Sequence, residues 1–235
     1  MLRLMGSLSQ LTEEVITCRR CDEAWGFSSR TPNSGYFKFP PLIGKTKNAR
    51  LLFVGINPRI SESNRWLHEH VMQAKENFIG LARNVVRDRA YIASDGQEPH
   101  YRLHVRFVRE IFGSSFSFEQ VAAVTEIFFC ATKNSQNLPN PGSPCADLYF
   151  AETVRLANPL VIVAVGGRVM SYFRTRPHEY EGGQQLVLKF KDRKVPVVKI
   201  PHPADPNLSE SEKNKRISNT AAATRALLGD NFRRD

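Results

Sequence analysis

The sequence predicts an α/β protein with a parallel sheet covered by helices on both sides, and three observations point there. Four short apolar or β-branched runs recur along the chain, at 50–56, 124–131, 160–165 and 195–200. They show no strict polar alternation, which suits strands buried on both faces. Helical patterns lie between them, and strand, helix, strand repetition is the mark of right-handed parallel crossovers.

Taken in order, Leu8 to Thr17 reads as a short helix that delivers a first cysteine pair. A Pro/Gly/Ser-rich stretch from Ser28 to Lys47 reads as an extended surface connection. The first strand, Arg50 to Ile56, is followed by a long stretch from Arg59 to His100. Helices are expected over Tyr101 to Phe112 and Phe118 to Ala123, then the second strand, Val124 to Ala131. The loop after it holds three prolines and cannot continue a helix or a central strand. Ala146 to Ala157 and Gly167 to Thr175 flank the third strand, and Ser209 to Leu228 is a long terminal helix after the fourth.

With 235 residues, 41% of them hydrophobic, the chain can bury a full core as one large domain. No apolar run approaches the roughly 18 residues that span a membrane, and the N-terminus lacks the pattern of a secretory signal. A cytoplasmic protein is therefore expected. Lys and Arg number 33 against 23 Asp and Glu, and this net charge of +10 is spread along the chain. Such a field favours a polyanion, most simply nucleic acid.

The only four cysteines are Cys18, Cys21, Cys130 and Cys145. A C-x2-C pair and a second, widely spaced pair make four thiolates for one metal centre, and a cytosolic setting disfavours disulfides. Both a tetrahedral Zn2+ and an iron–sulfur cluster fit that count.

Open parallel sheets bind ligands at the carboxyl ends of their strands. The first strand runs into Gly55-Ile56-Asn57-Pro58-Arg59 and the last into Pro201-His202-Pro203-Ala204-Asp205-Pro206. Each puts a polar side chain at a strand end beside proline, so an amide and an imidazole can converge on one crevice.

These features together resemble the uracil-DNA glycosylase superfamily, most closely its iron–sulfur branch, family 4. The resemblance runs over nearly the whole chain: CRRC at 18–21, KNARLLFVGINP, FFCATKNSQNLPNPGSPC, FAETVRLANPLVIVAVGG and HPA at 202–204. The GINP itself is like that of the mismatch-specific branch. The resemblance implies a three-layer α/β/α fold with a central four-stranded parallel sheet. It implies one domain over 1–235, with a cluster-binding segment at about 1–47 and an inserted helical segment at about 60–100 that is longer than the family's equivalent. It also implies a [4Fe-4S] cluster on the four cysteines in preference to Zn2+.

By matching positions, Asn57 would orient the hydrolytic water, and His202 would stabilise charge growing on the base carbonyl. Gly55 and Ile56 would border the base, with Phe78 or Tyr101 stacking on it. Pro203 and Leu208 would enter the minor groove, with Lys213, Lys215 and Arg216 at phosphates. Arg102, Arg106 and Arg109 share a helix side and extend the basic surface. No lysine stands in a matching catalytic position, so the implied enzyme is a monofunctional glycosylase that excises uracil or another deaminated base, acting as a monomer on DNA.

One position departs from the pattern. Where family 4 carries an Asn that reads the uracil edge, this chain has Glu126. A carboxylate accepts from N3–H but donates to O4 only when protonated. Three readings follow: a protonated Glu126 in a dry pocket, a base that offers an amino group, or a residue outside the pocket. Glu126 and the long 59–100 stretch also leave open an iron–sulfur protein that binds damaged or single-stranded DNA with little hydrolysis, and a zinc-stabilised hydrolase of RNA or nucleosides.

Overall fold

The computed structural model describes residues 7–18, 42–45, 47–56, 99–129, 146–182 and 184–229. The four apolar runs become β2 (Leu51–Gly55), β3 (Ala122–Glu126), β4 (Val161–Val165) and β7 (Lys194–Ile200). They lie side by side in the order β3–β2–β4–β7, every neighbour parallel. From β2 the chain crosses to β3 on one side, then passes back over β2 to β4 on the other. In open sheets such a reversal is where a ligand-binding crevice is expected, here at the carboxyl ends of β2 and β4.

The expectation of a sheet made only of four parallel strands is corrected. A two-residue β1 (Ile43–Gly44) pairs antiparallel with β3. Beyond β7 a hairpin of β5 (His178–Glu181) and β6 (Gln185–Lys189) continues the sheet antiparallel. The sheet is mixed, in the order β1–β3–β2–β4–β7–β6–β5. The additions take up the hydrogen-bonding edges that a four-stranded sheet would leave open.

Side-chain alternation within the central strands builds the three layers. Leu51, Phe53, Val163, Val165 and Ile200 point to one face, where they pack with Phe107 and Ile111 of α2 (Pro99–Phe112), Phe118 of α3 (Phe118–Val121) and Ile217 and Ala221 of α6 (Glu210–Leu228). Leu52, Val54, Ile162 and Ala164 point to the other face. There they meet Val154 of α4 (Ala151–Ala157) and Val169 and Phe173 of α5 (Gly167–Phe173). A single π-helical turn, Ala146–Phe150, leads into α4. The three-layer α/β/α arrangement expected from the sequence is thus present. No helix among the described residues is long and apolar enough to cross a membrane.

The terminal helix starts as its SESE sequence dictates. Ser209 accepts from the Glu212 amide, and the Glu212 carboxylate accepts from the Ser209 amide and hydroxyl. This capping box satisfies donors that the first turn leaves open, and those same bonds hold the Glu212 carboxyl below its ordinary range. The start of α6 is fixed there, immediately after the loop that follows β7. The helical insertion expected at about 60–100 lies outside the described residues up to Pro99.

Candidate active site at the strand carboxyl ends

β3 and β2 end together, with Gly55 directly opposite Glu126. Backbone pairing continues one step further, since the Ile127 amide donates to the Gly55 carbonyl and the Phe128 amide to Ile56. Glu126 shares the face of Val124, on the α2 side, and its side chain folds over Gly55. A Cβ at position 55 would stand 2.1 Å from Glu126 Oε2, so only glycine leaves room for the carboxyl in this pose. Beneath it Phe53 carries the His104 ring of α2, centroids 4.7 Å apart.

Glu126 is 3% exposed. Its Oε2 takes no hydrogen bond from any described residue. Burial without a compensating donor disfavours the charged form and pushes the carboxyl up to about 8. At neutral pH the group is a carboxylic acid.

At the other side of the crevice the ends of β4 and β7 are joined by a bond from the Gly166 amide to the Ile200 carbonyl. Gly166 has φ +88°, and a Cβ there would come within 3.1 Å of His202 Cβ. Glycine is needed at 166 for its backbone as well as for the close approach of the histidine. The sequence reading passed over Gly166, although two consecutive glycines directly after an apolar run are the signal of such a turn.

His202 Nδ1 accepts from the Ala204 amide at 3.1 Å. A backbone N–H can only donate, so Nδ1 carries no proton and the neutral ring is protonated at Nε2. Burial depresses the pKa below the usual histidine value; Lys213 and Arg168 add to this and Asp205 opposes it. The imidazole is therefore neutral at pH 7 and presents an N–H donor from Nε2. The turn is closed by the Asp205 amide on the His202 carbonyl and the Asn207 amide on Asp205 Oδ1.

The structure parts the three basic residues expected at phosphates. Lys215 and Arg216 are exposed on α6. Lys213 is 6% exposed and points inward, donating from Nζ to the Pro203 carbonyl at 2.8 Å and to Glu210 Oε1 at 3.1 Å. Its charge holds the 202–208 loop against α6. Replacing Lys213 by methionine is expected to cost about 1–3 kcal/mol, the value of a buried charged hydrogen bond. Urea denaturation reads the loss, and faster exchange of the Ala204 and Asp205 amides shows that the loop has loosened.

Pro203 and Leu208 are half-buried along the loop, and Ile56 is half-buried against the α4 side of the core. Arg102 pairs with Glu210 and Arg106 with Glu110 on the surface. Tyr101 falls in the first turn of α2. Asn57, Phe78, Cys21, Cys130 and Cys145 lie outside the described residues.

Cys18 follows α1 (Leu8–Thr17) and packs with Leu11, Val15, Phe129, Leu148 and Tyr149. Phe129 is the residue before Cys130, and Leu148 stands three after Cys145. The described neighbours of three of the four cysteines therefore meet in one apolar cluster. Among the described residues no group of three His, Cys, Asp or Glu side chains is placed to hold a metal.

A separate cavity of about 760 Å³ opens on the α4 side, lined by Phe150, Tyr172, Leu188 and Arg193 among others. It includes neither Glu126 nor His202, whose chemistry makes the strand-end crevice the candidate site.

No protein-family model matches the chain. The chain is similar to the type-4 uracil-DNA glycosylase of Sulfurisphaera tokodaii, with 24% identity over 241 residues that cover 97% of this chain and 91% of that protein.

Proposed function

We propose that this protein is a monofunctional DNA glycosylase, one that hydrolyses the N-glycosidic bond of uracil or another deaminated base in DNA. One observation carries the reading: a neutral imidazole at the carboxyl end of β7, its tautomer set by the Ala204 amide so that Nε2–H is the donor. As the glycosidic bond breaks, negative charge collects on the departing base's carbonyl oxygen. A fixed N–H aimed there stabilises charge that exists only late in the reaction. The similarity to the type-4 enzyme over nearly the full chain and the net charge of +10 support the same reading.

In this reading the nucleotide is extruded from the stack into the crevice. Asn57 orients the attacking water; an amide does not titrate, so it takes no proton. Pro203 and Leu208 lie on the DNA side of the loop, Leu208 filling the gap left by the base, while Phe78 or Tyr101 stacks on the base itself. Lys215 and Arg216 contact phosphates.

Cys18, Cys21, Cys130 and Cys145 would hold a [4Fe-4S] cluster. The convergence of Cys18 with Phe129 and Leu148 fits that assignment. When bound, the cluster would order the DNA-facing part of the chain without redox work.

The test incubates anaerobically purified protein with labelled oligonucleotides carrying uracil, hypoxanthine or xanthine, single-stranded and paired, and scores alkali-sensitive abasic sites. Release of one of these bases is expected, and release from none of them overturns the enzyme. Lys215→Ala and Arg216→Ala are each expected to weaken binding to all sequences alike. Each should lower the slope of log K against log salt by about 1, without a change in melting.

A further inference from the structure

We propose that Glu126 reads the edge of the extruded base as a carboxylic acid, its O–H donating to a ring carbonyl oxygen and its C=O accepting from the adjacent ring N–H. This deepens the glycosylase reading and rests on it. The geometry is a side chain almost wholly withdrawn from water, at the carboxyl end of β3, folded over the one residue of β2 that has no side chain. Its Oε2 is left without a partner among the described residues. Buried polar atoms are nearly always satisfied, and an orphan at a ligand-binding strand end calls for a ligand that supplies the missing bond.

The chemistry of the partner follows from the inventory of the acid. A protonated carboxyl offers one donor and one acceptor side by side. It is complementary to a base edge with C=O next to N–H, the edge that uracil, hypoxanthine and xanthine share. An ionised carboxylate offers acceptors only and would face the lone pairs of the base carbonyl.

The acid form dominates below about pH 8, because burial raises this carboxyl, and the carboxylate takes over above it. The other titratable or charged groups that lie buried or half-buried on the described elements packed against this face are His104 and Glu110 on α2, Glu119 on α3, Lys213 on α6 and Arg50 at the foot of β2. Burial, not any of these charges, causes the rise.

The experiment uses the full chain, purified anaerobically, with the wild type beside Glu126→Gln and Gly55→Ala. Binding is measured from about pH 6 to about pH 9 with single-stranded oligonucleotides carrying one 2′-fluoro-2′-deoxyuridine, whose glycosidic bond resists hydrolysis, or its 3-methyl derivative, which lacks the ring N–H. The wild type is expected to prefer the unmethylated base about tenfold at neutral pH, the size of one hydrogen bond to a buried group. That preference should fade above about pH 8. Glu126→Gln keeps a donor beside an acceptor but does not titrate, so its preference should persist to the top of the range.

Gly55→Ala leaves the carboxyl chemistry intact and drives a Cβ into its position; the preference should collapse at every pH. A wild type indifferent to the methyl group overturns the proposal. So does an alkaline loss shared by the glutamine variant, or an alanine variant at 55 that still discriminates.

Release from cleavable deoxyuridine, run in parallel, separates the two readings. Discrimination without release removes the glycosylase and leaves base reading standing. Release with a base preference indifferent to Glu126 does the reverse.

Discussion

Replacing His202 by alanine is expected to slow single-turnover base release about 100- to 1,000-fold, the loss typical of one preorganised donor to a developing oxyanion. The ring's orientation is set twice, by the Ala204 amide on Nδ1 and by the close approach of Gly166. No reorganisation is then needed as the bond breaks. Because burial lowers the pKa, the imidazole stays neutral through pH 7, and its contribution should be flat there. Removal of a group that acts only late in the reaction leaves ground-state binding alone. Affinity for the uncleavable oligonucleotide should therefore stay within about twofold, and melting should be nearly unchanged because the ring is only partly buried. A variant that releases base at the wild-type rate would remove His202 from the chemistry, and one that loses binding and rate together would make it a contact residue.

The same residues show where the sequence speaks and where it is silent. β2 and β4 are legible because they are buried on both faces: Leu51 to Val54 and Val161 to Ala164 are all 0% exposed, and evolution of a run without polar positions has few other causes. β3 is blurred at its start. Ala122 and Ala123 read as the end of a helix, since alanine is the best helix former, yet pairing of Ala122 with Leu51 and Ala123 with Leu52 draws them into the sheet.

The β5–β6 hairpin escapes because its outer strand, His178–Glu181, is half-exposed and polar on both faces. No period of two survives in it. At the site, His202 is visible as a polar residue just past an apolar run and Glu126 as a carboxyl set inside one. Lys213 is not: a lysine near the start of a charged helix reads as solvated, and only the Pro203 carbonyl, brought there by the turn after β7, reveals that it is buried.

Stability should fall as pH rises from about 5 to about 8, and Glu126→Gln should abolish most of that fall. The Glu126 carboxyl titrates near 4.5 in an unfolded chain and at about 8 in the fold. Between those values the native state holds a proton that the unfolded state has released. Folding is then opposed by each step toward alkaline pH. The contribution is fully present below the unfolded value and is lost by the time pH passes the folded one. At about 1.4 kcal/mol for each factor of ten, the interval sets an upper bound of about 5 kcal/mol, large against the 5–15 kcal/mol that typically separates folded from unfolded chains.

Glutamine has nearly the same shape and no charge to bury, so the variant should match the wild type at acid pH and exceed it above about pH 8. Denaturant midpoints taken anaerobically at several pH values measure the difference directly, and subtracting the two curves cancels every titration they share. Parallel curves would show that Glu126 is not desolvated as the fold places it. A divergence that opens between about pH 5 and 8 would establish, without any substrate present, that the crevice holds a carboxylic acid.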